Sequence, residues 1–194
     1  MTIRNVRTAP LIVALGLVLG FAATARAQGF INPFIGFNFG GDASCPEITG
    51  CEDKKLNLGG SIGKMGKVLG FEEEFGYAKD FFGSAPGLES SLFTAMSNLM
   101  IVPDLGPVRP YVLAGVGLMK SHVDITTLTV LTSNNNTFGW DVGGGVMAMF
   151  GGHAGVRADL RYFHAFQDLE ILGITLENSK LDFGRVSAGL LLTF

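Results

Sequence analysis

Charged side chains recur at every second position in two stretches of this sequence, Glu72 and Glu74 in one, Arg157, Asp159 and Arg161 in the other. Asp141 and Arg185 stand among glycine and apolar neighbours. Carboxylates and guanidinium groups that share a face and leave water either pair with one another or line a narrow path for ions. Other chemistries find less support. His122, His153 and His164 are isolated. Ser121 precedes His122, but no local Ser/His/acid arrangement accompanies it. A phosphate-binding loop at Gly63-Lys64 or Gly66-Lys67 would need a glycine at Leu58 or Ser61 and a hydroxyl after the lysine; neither is present. Gly115 and Gly117 lack the third glycine and following helix of a dinucleotide fingerprint. No catalytic, cofactor-binding or metal-binding residue is assigned.

The elements that must position these charges alternate with a period of two, the mark of β-strands with one apolar face. Val156, Ala158, Leu160 and Tyr162 oppose Arg157, Asp159 and Arg161. Leu69, Phe71, Phe75 and Tyr77 oppose Gly70, Glu72, Glu74 and Gly76. Glu73 breaks that pattern by sharing the apolar face, and a β-bulge is one way to re-aim it. Trp140, Val142, Val146 and Ala148 oppose Asp141, Gly143 and Gly145. Eight strands are expected, near 30–40, 56–63, 68–78, 91–102, 109–120, 138–150, 155–165 and 181–194. The fourth alternates poorly; Thr94 and Asn98 are set inward because Asn98 needs a polar partner. Connections one, three, five and seven read as long and the others as short. Within the fifth, 121–137, alternation persists, so strands projecting past the expected ends are anticipated.

The beginning of the chain differs. Arg4 and Arg7, an apolar run from Leu11 to Ala23, and Ala25-Arg26-Ala27 have the three-part form of a secretory signal peptide, residues 1–27, cleaved before Gln28. That leaves 28–194 (194 − 27 = 167 residues) with 11 Lys and Arg (14 − 3) against 17 Asp and Glu, a net charge of −6 that argues against nucleic acid as a partner. No later stretch is continuously apolar over the ~20 residues of a spanning helix. Charged residues are only 16% of the chain, against about 25% in soluble domains. Any membrane embedding must therefore use strands closed into a barrel. In an exported chain the close pair Cys45 and Cys51 is most simply a disulfide stapling a polar loop.

The last stretch carries a resemblance. From Leu181 onward, Val186, Ala188, Leu190, Leu192 and Phe194 take one face, and Arg185, Ser187, Gly189 and Thr193 the other, with Leu191 the one apolar intruder. A closing strand of this kind, ending on Phe194, resembles the terminal strand of bacterial outer-membrane barrels. The small eight-stranded OmpA/OmpX-like, porin-like group is the nearest match. The resemblance implies an all-β, antiparallel, up-and-down transmembrane barrel in the bacterial outer membrane. It implies that the barrel-insertion machinery reads Leu190, Leu192 and Phe194, and that outer-membrane lipid and lipopolysaccharide surround the barrel. Because the sequence stops at the last strand, the peptidoglycan-binding domain of the OmpA branch is not expected.

Eight strands enclose a lumen that side chains fill, and wide pores need about sixteen. Glu72, Glu74, Asp141, Arg157, Asp159, Arg161 and Arg185 are thus expected to form an ionic plug, or else to line a narrow gated ion channel. Aromatic residues near strand ends (Tyr77, Phe138, Trp140, Tyr162, Phe150, Phe194) are expected as interfacial girdles. Some small outer-membrane barrels are lipid A-modifying enzymes that use His and Ser at the rim, which leaves His122 and His164 as a distant hydrolase alternative. The expected role is non-enzymatic: envelope structure, or interaction with an external ligand through the loops.

Overall fold

The structure is a computed structural model, and it describes residues 28–41, 55–81, 88–125, 131–171 and 174–194. The expected signal peptide and the Cys45–Cys51 pair lie outside the described residues. Eight strands follow in order: β1 (Gln28–Phe39), β2 (Lys55–Met65), β3 (Leu69–Lys79), β4 (Leu88–Ile101), β5 (Val108–Ile125), β6 (Leu131–Phe150), β7 (Ala154–Ile171) and β8 (Ile174–Thr193). Each pairs antiparallel with the next, and β1 with β8, which closes the barrel. The all-β, eight-stranded, up-and-down expectation is met.

Closure is built from backbone groups at the two ends of the described chain. The Phe194 N–H donates to the Gly29 carbonyl and the Gly29 N–H to the Phe194 carbonyl, both at 2.9 Å. Gln28 adds a side-chain bond to Thr193 Oγ1 at 3.0 Å. Through the band where all eight strands pair no sheet edge is left over, and backbone in lipid requires that.

One end of the barrel carries the connections 66–68, 102–107 and 151–153; the other carries 40–54, 80–87, 126–130 and 172–173. The first is called here the turn end and the second the loop end. Two of the expected long loops, 121–137 and 166–180, are largely strand. β5, β6, β7 and β8 run 18, 20, 18 and 20 residues, where about 9–11 suffice to cross a bilayer. Pairing simply continues past the apolar band, because alternating Val, Ile and Thr residues there still favour extended backbone. The β7–β8 ladder does shift register between His164 and Glu170.

Burial follows the two-residue period. Ile35, Phe75, Leu99 and Leu160 point outward and are exposed, while their sequence neighbours are buried inside. β4 agrees with its expectation: Thr94 and Asn98 are inside, Phe93, Leu99 and Ile101 outside. Glu73 does face outward, and no bulge intervenes, since β3 pairs without a shift on both sides.

The interior has three layers. At the loop end Phe81, Leu92, Met96, Met119, Phe163, Leu181 and Phe183 pack together. At the turn end Phe30, Met65, Met100, Tyr111, Leu113, Met147 and Leu191 do the same. Leu191 is thus no intruder but part of an apolar plug. The charged residues lie between the two.

The plugs depend on glycine. Gly63 on β2 lies under the Phe30 ring, and a Cβ there would meet ring carbons at 2.7 Å as well as the Phe71 carbonyl. Gly63→Val is expected to lower barrel stability by about 1–3 kcal/mol, the usual cost of overpacking. Equilibrium unfolding in urea from lipid vesicles, followed by the emission of the single tryptophan, measures it.

Candidate functional site in the lumen

In an eight-stranded ring β3 and β7 stand diametrically opposed. Strand alternation turns Glu72 and Glu74 inward from one wall and Arg157, Asp159 and Arg161 inward from the other. The side chains therefore meet across the full width of the lumen. Glu72 is bridged by both arginines: Arg157 donates through both terminal nitrogens, Nη2 to Oε1 at 3.3 Å and Nη1 to Oε2 more tightly, and Arg161 Nη2 reaches Oε1 at 2.8 Å. Arg161 Nη1 holds Glu74 Oε2 at 2.7 Å and approaches Asp141 Oδ2 on β6 at 3.6 Å.

Asp159 is held between the two arginines of its own strand, at 2.9 Å from Arg157 Nη2 and 3.1 Å from Arg161 Nη2. Arg185 on β8 extends the chain of pairs: Nη1 to Glu74 Oε1 at 2.8 Å, Nε to Asn38 Oδ1 at 2.9 Å, Nη2 to Thr94 Oγ1 at 3.2 Å. All seven charged residues expected to face the lumen are brought into one network, every one of them buried.

One member of that network, Tyr111, escaped the sequence reading, and Asn98 was set inward without its partners being named. Tyr111 on β5 donates its hydroxyl proton to Asp159 and accepts from Arg157 Nε at 2.7 Å. Asn98 is satisfied when its amide nitrogen faces Asp141 Oδ1 at 2.7 Å and its oxygen accepts from Arg161 Nη1 at 3.2 Å. The signal available was parity alone: Tyr111 shares its face with Gly115 and Gly117, Asn98 with Thr94.

Aromatic rings border the charges above and below. The Arg157 guanidinium lies 4.7 Å from the Tyr111 ring centroid and 5.9 Å from that of Phe30, in the turn-end plug. Arg185 lies 4.4 Å from Phe163 and 5.8 Å from Phe183, in the loop-end plug. Each outer arginine thus has an anion on one side and a π face on another, which recovers part of the cost of removing it from water.

The other expected sites fare differently. Leu190, Leu192 and Phe194 all point outward at the turn end. His122 and His164 are not brought together. His122 pairs with Ser91 and Asn134, whereas His164 sits on the outer face with the rings of Trp140 and Tyr162, at 5.6 and 6.3 Å. His153 lies in a turn, 3.2 Å from the Thr193 carbonyl. Among the described residues no three metal-ligating side chains form a group that could hold an ion. Tyr77, Phe138, Tyr162, Phe150 and Phe194 are exposed on the outer face; Tyr77, Phe150 and Phe194 lie near strand ends, whereas β6 and β7 run on past Phe138 and Tyr162.

A closed barrel with an apolar exterior and a charged centre belongs in a membrane. The model of the outer membrane protein beta-barrel domain matches residues 12–194. The chain belongs to that family. Its setting is the bacterial outer membrane, which it crosses with strands. Solved barrels of the same architecture include Neisserial surface protein A, which is 19% identical with a TM-score of 0.64 over 86% of this chain and 97% of that one. A major outer membrane protein of Thermus thermophilus is 15% identical, with a TM-score of 0.60 over 88% and 100%. The attachment invasion locus protein Ail of Yersinia pestis, solved with the heparin analogue sucrose octasulfate, is 10% identical, with a TM-score of 0.56 over 88% and 100%. At these identities the likeness is one of fold. Comparison with curated sequences gives no match.

Removing one member of a buried network leaves its partners charged and unpaired, a loss of about 3–5 kcal/mol. Arg161→Ala, which takes one of two arginine partners from each of Glu72, Glu74 and Asp159 and the nearby arginine from Asp141, is expected to cost that much in urea unfolding from vesicles. Arg109→Ala, which breaks an exposed pair with Asp104, is expected to change stability by less than about 1 kcal/mol.

Proposed function

We propose that this protein is a non-enzymatic outer-membrane barrel whose lumen is sealed and whose working surface is its loop end. The observation that carries this reading is the layered interior. An ionic network crosses the lumen from β3 to β7, with an apolar plug on each side of it. A solute would have to displace both plugs and separate paired charges. The role is then structural or one of surface recognition. β5 to β8 extend past the apolar band at the loop end, where an external ligand has access. That Ail, a barrel of the same fold, was solved with a sulfated saccharide makes polyanionic saccharides the first ligand class to test. The surrounding lipid, including lipopolysaccharide, and the insertion machinery that would read Leu190, Leu192 and Phe194 complete the proposed partners.

A second reading, a narrow gated ion path, draws on one observation. Asn32 Oδ1, both amide atoms of Asn57 and Ser61 Oγ are buried along β1 and β2 without a protein partner, and such atoms take water. The Phe34 side chain, however, packs onto Gly59 between Asn57 and Ser61.

Planar-bilayer recording of the refolded protein separates the two. The sealed barrel gives no stepwise conductance, and discrete openings abolished by Glu72→Gln would establish the path instead. For recognition, Lys79→Ala together with Lys120→Ala, which removes two exposed cations toward the loop end, is expected to reduce retention on heparin-agarose while leaving the folded barrel intact by gel mobility.

A further inference from the structure

On β5 the outward residues run Val108, Pro110, Val112, Ala114, Val116 and Leu118, then Lys120 and His122. The apolar stretch, 108–118, matches the ~9–11 residues that a tilted strand needs to cross the hydrocarbon. Lys120 is therefore the first outward charge on β5 past the lipid, at the loop-end boundary. The register of the neighbouring strands agrees. Phe75, Ala95 and Leu118 lie side by side in the last apolar row. Tyr77, Phe93 and Lys120 form the next row, and Lys79, Ser91 and His122 the one beyond.

These residues shape a cleft. Tyr77, Ser91, Phe93, Lys120 and His122 line an open volume of about 570 Å³ on the outer wall, a size that fits a small ligand. Lys79, exposed and paired in register with Ser91, stands at its edge. The two aromatic rings occupy the depth where apolar gives way to polar surroundings, which suits them. The remaining groups are two ammoniums, a hydroxyl and an imidazole.

An ammonium donates hydrogen bonds and accepts none, so the ligand that fits is an anion rich in acceptors. Lysine binds phosphate as a point charge. One row further out the register sets Glu89 opposite Asp124, so the positive charge is confined to a narrow band of depth. An anion held in that band is one anchored from the membrane side, as a lipid headgroup is. The surrounding medium is a bacterial outer membrane, and barrels of this kind carry their longer loops outside.

We propose that this cleft binds a phosphate of a lipopolysaccharide headgroup. Lys120 and Lys79 supply the charge, Ser91 a hydrogen bond, and Tyr77 and Phe93 the apolar side against which the lipid rests. The inference rests on the reading that the loop end is external; it does not need the saccharide ligand.

The test titrates lipid A into the refolded barrel in dodecyl maltoside micelles and counts retained lipid by native mass spectrometry. Micelles have no leaflets, so the result does not depend on which end is external. Lipid A is expected to be retained on the wild-type barrel. Lys120→Ala is expected to weaken retention about fivefold, the worth of one cation beside an anionic lipid. Lys120→Arg is expected to stay within about twofold of wild type. Lys67→Ala, which removes an exposed cation at the turn end, is expected to change nothing. Ser91→Ala is expected to weaken retention about threefold and to leave retention on heparin-agarose unchanged, so this inference and the saccharide reading fail separately. Mobility in unheated gels checks that each variant is folded. Equal retention of dephosphorylated lipid A would overturn the proposal, as would equal loss in Lys67→Ala and Lys120→Ala. Displacement by inorganic phosphate at the same concentration, or equal retention of phosphatidylglycerol, would show a site for any phosphate and would overturn the assignment to lipopolysaccharide.

Discussion

The ion pairs between β3 and β7 hold this barrel's interior together. They are the contacts that join opposite walls rather than neighbouring strands, with Glu72 between Arg157 and Arg161 and Glu74 between Arg161 and Arg185. A closed sheet has its backbone satisfied all round, but nothing in the ladder itself decides what fills the middle. Here the middle is charge matched to charge. Because low dielectric penalises any unmatched member, the register of every contributing strand is tied to the others. A one-residue slip of β7 would turn Arg157, Asp159 and Arg161 to lipid and Val156, Ala158 and Leu160 into the lumen.

The apolar plugs account for why charge is tolerated there. Water is kept from the network at the turn end by Phe30, Met100 and Met147 and at the loop end by Phe81, Phe163 and Phe183. Those plugs in turn rest on glycine positions that let rings lie flat against the wall. Methionine recurs in both plugs, as suits a tapering space that rigid side chains fill poorly. Rigid wall, ionic centre and apolar ends together make a pillar in the membrane that carries the loop end.

Much of this was legible from the residues. Two-residue alternation located eight strands, put Asn98 and Thr94 inside, and separated the seven lumen charges from the lipid face. What failed was informative. Leu191 read as an error in the pattern because a membrane-barrel interior was assumed polar; it is apolar at both ends. Residues 166–180 read as a loop because the apolar band had ended, yet backbone pairing does not stop where lipid stops; over 121–137 the persisting alternation signalled the projecting strands. Glu73 suggested a bulge, whereas the ladder runs straight and the side chain finds Ser97.

Sequence by itself determined which side of each strand every residue takes, since chirality and the pleat alternate side chains whatever the fold. It also required closure, since hydrocarbon gives unpaired amides nothing to bond. Only the tertiary structure decided who meets whom across the lumen. Partnership there depends on strand order, shear and the reach of arginine side chains between walls 85 or more residues apart in the chain, and no local pattern encodes such a distance. That is why the charges could be enumerated beforehand, while Tyr111, the partners of Asn98 and the aromatic faces beside Arg157 and Arg185 emerged only once β3 stood opposite β7.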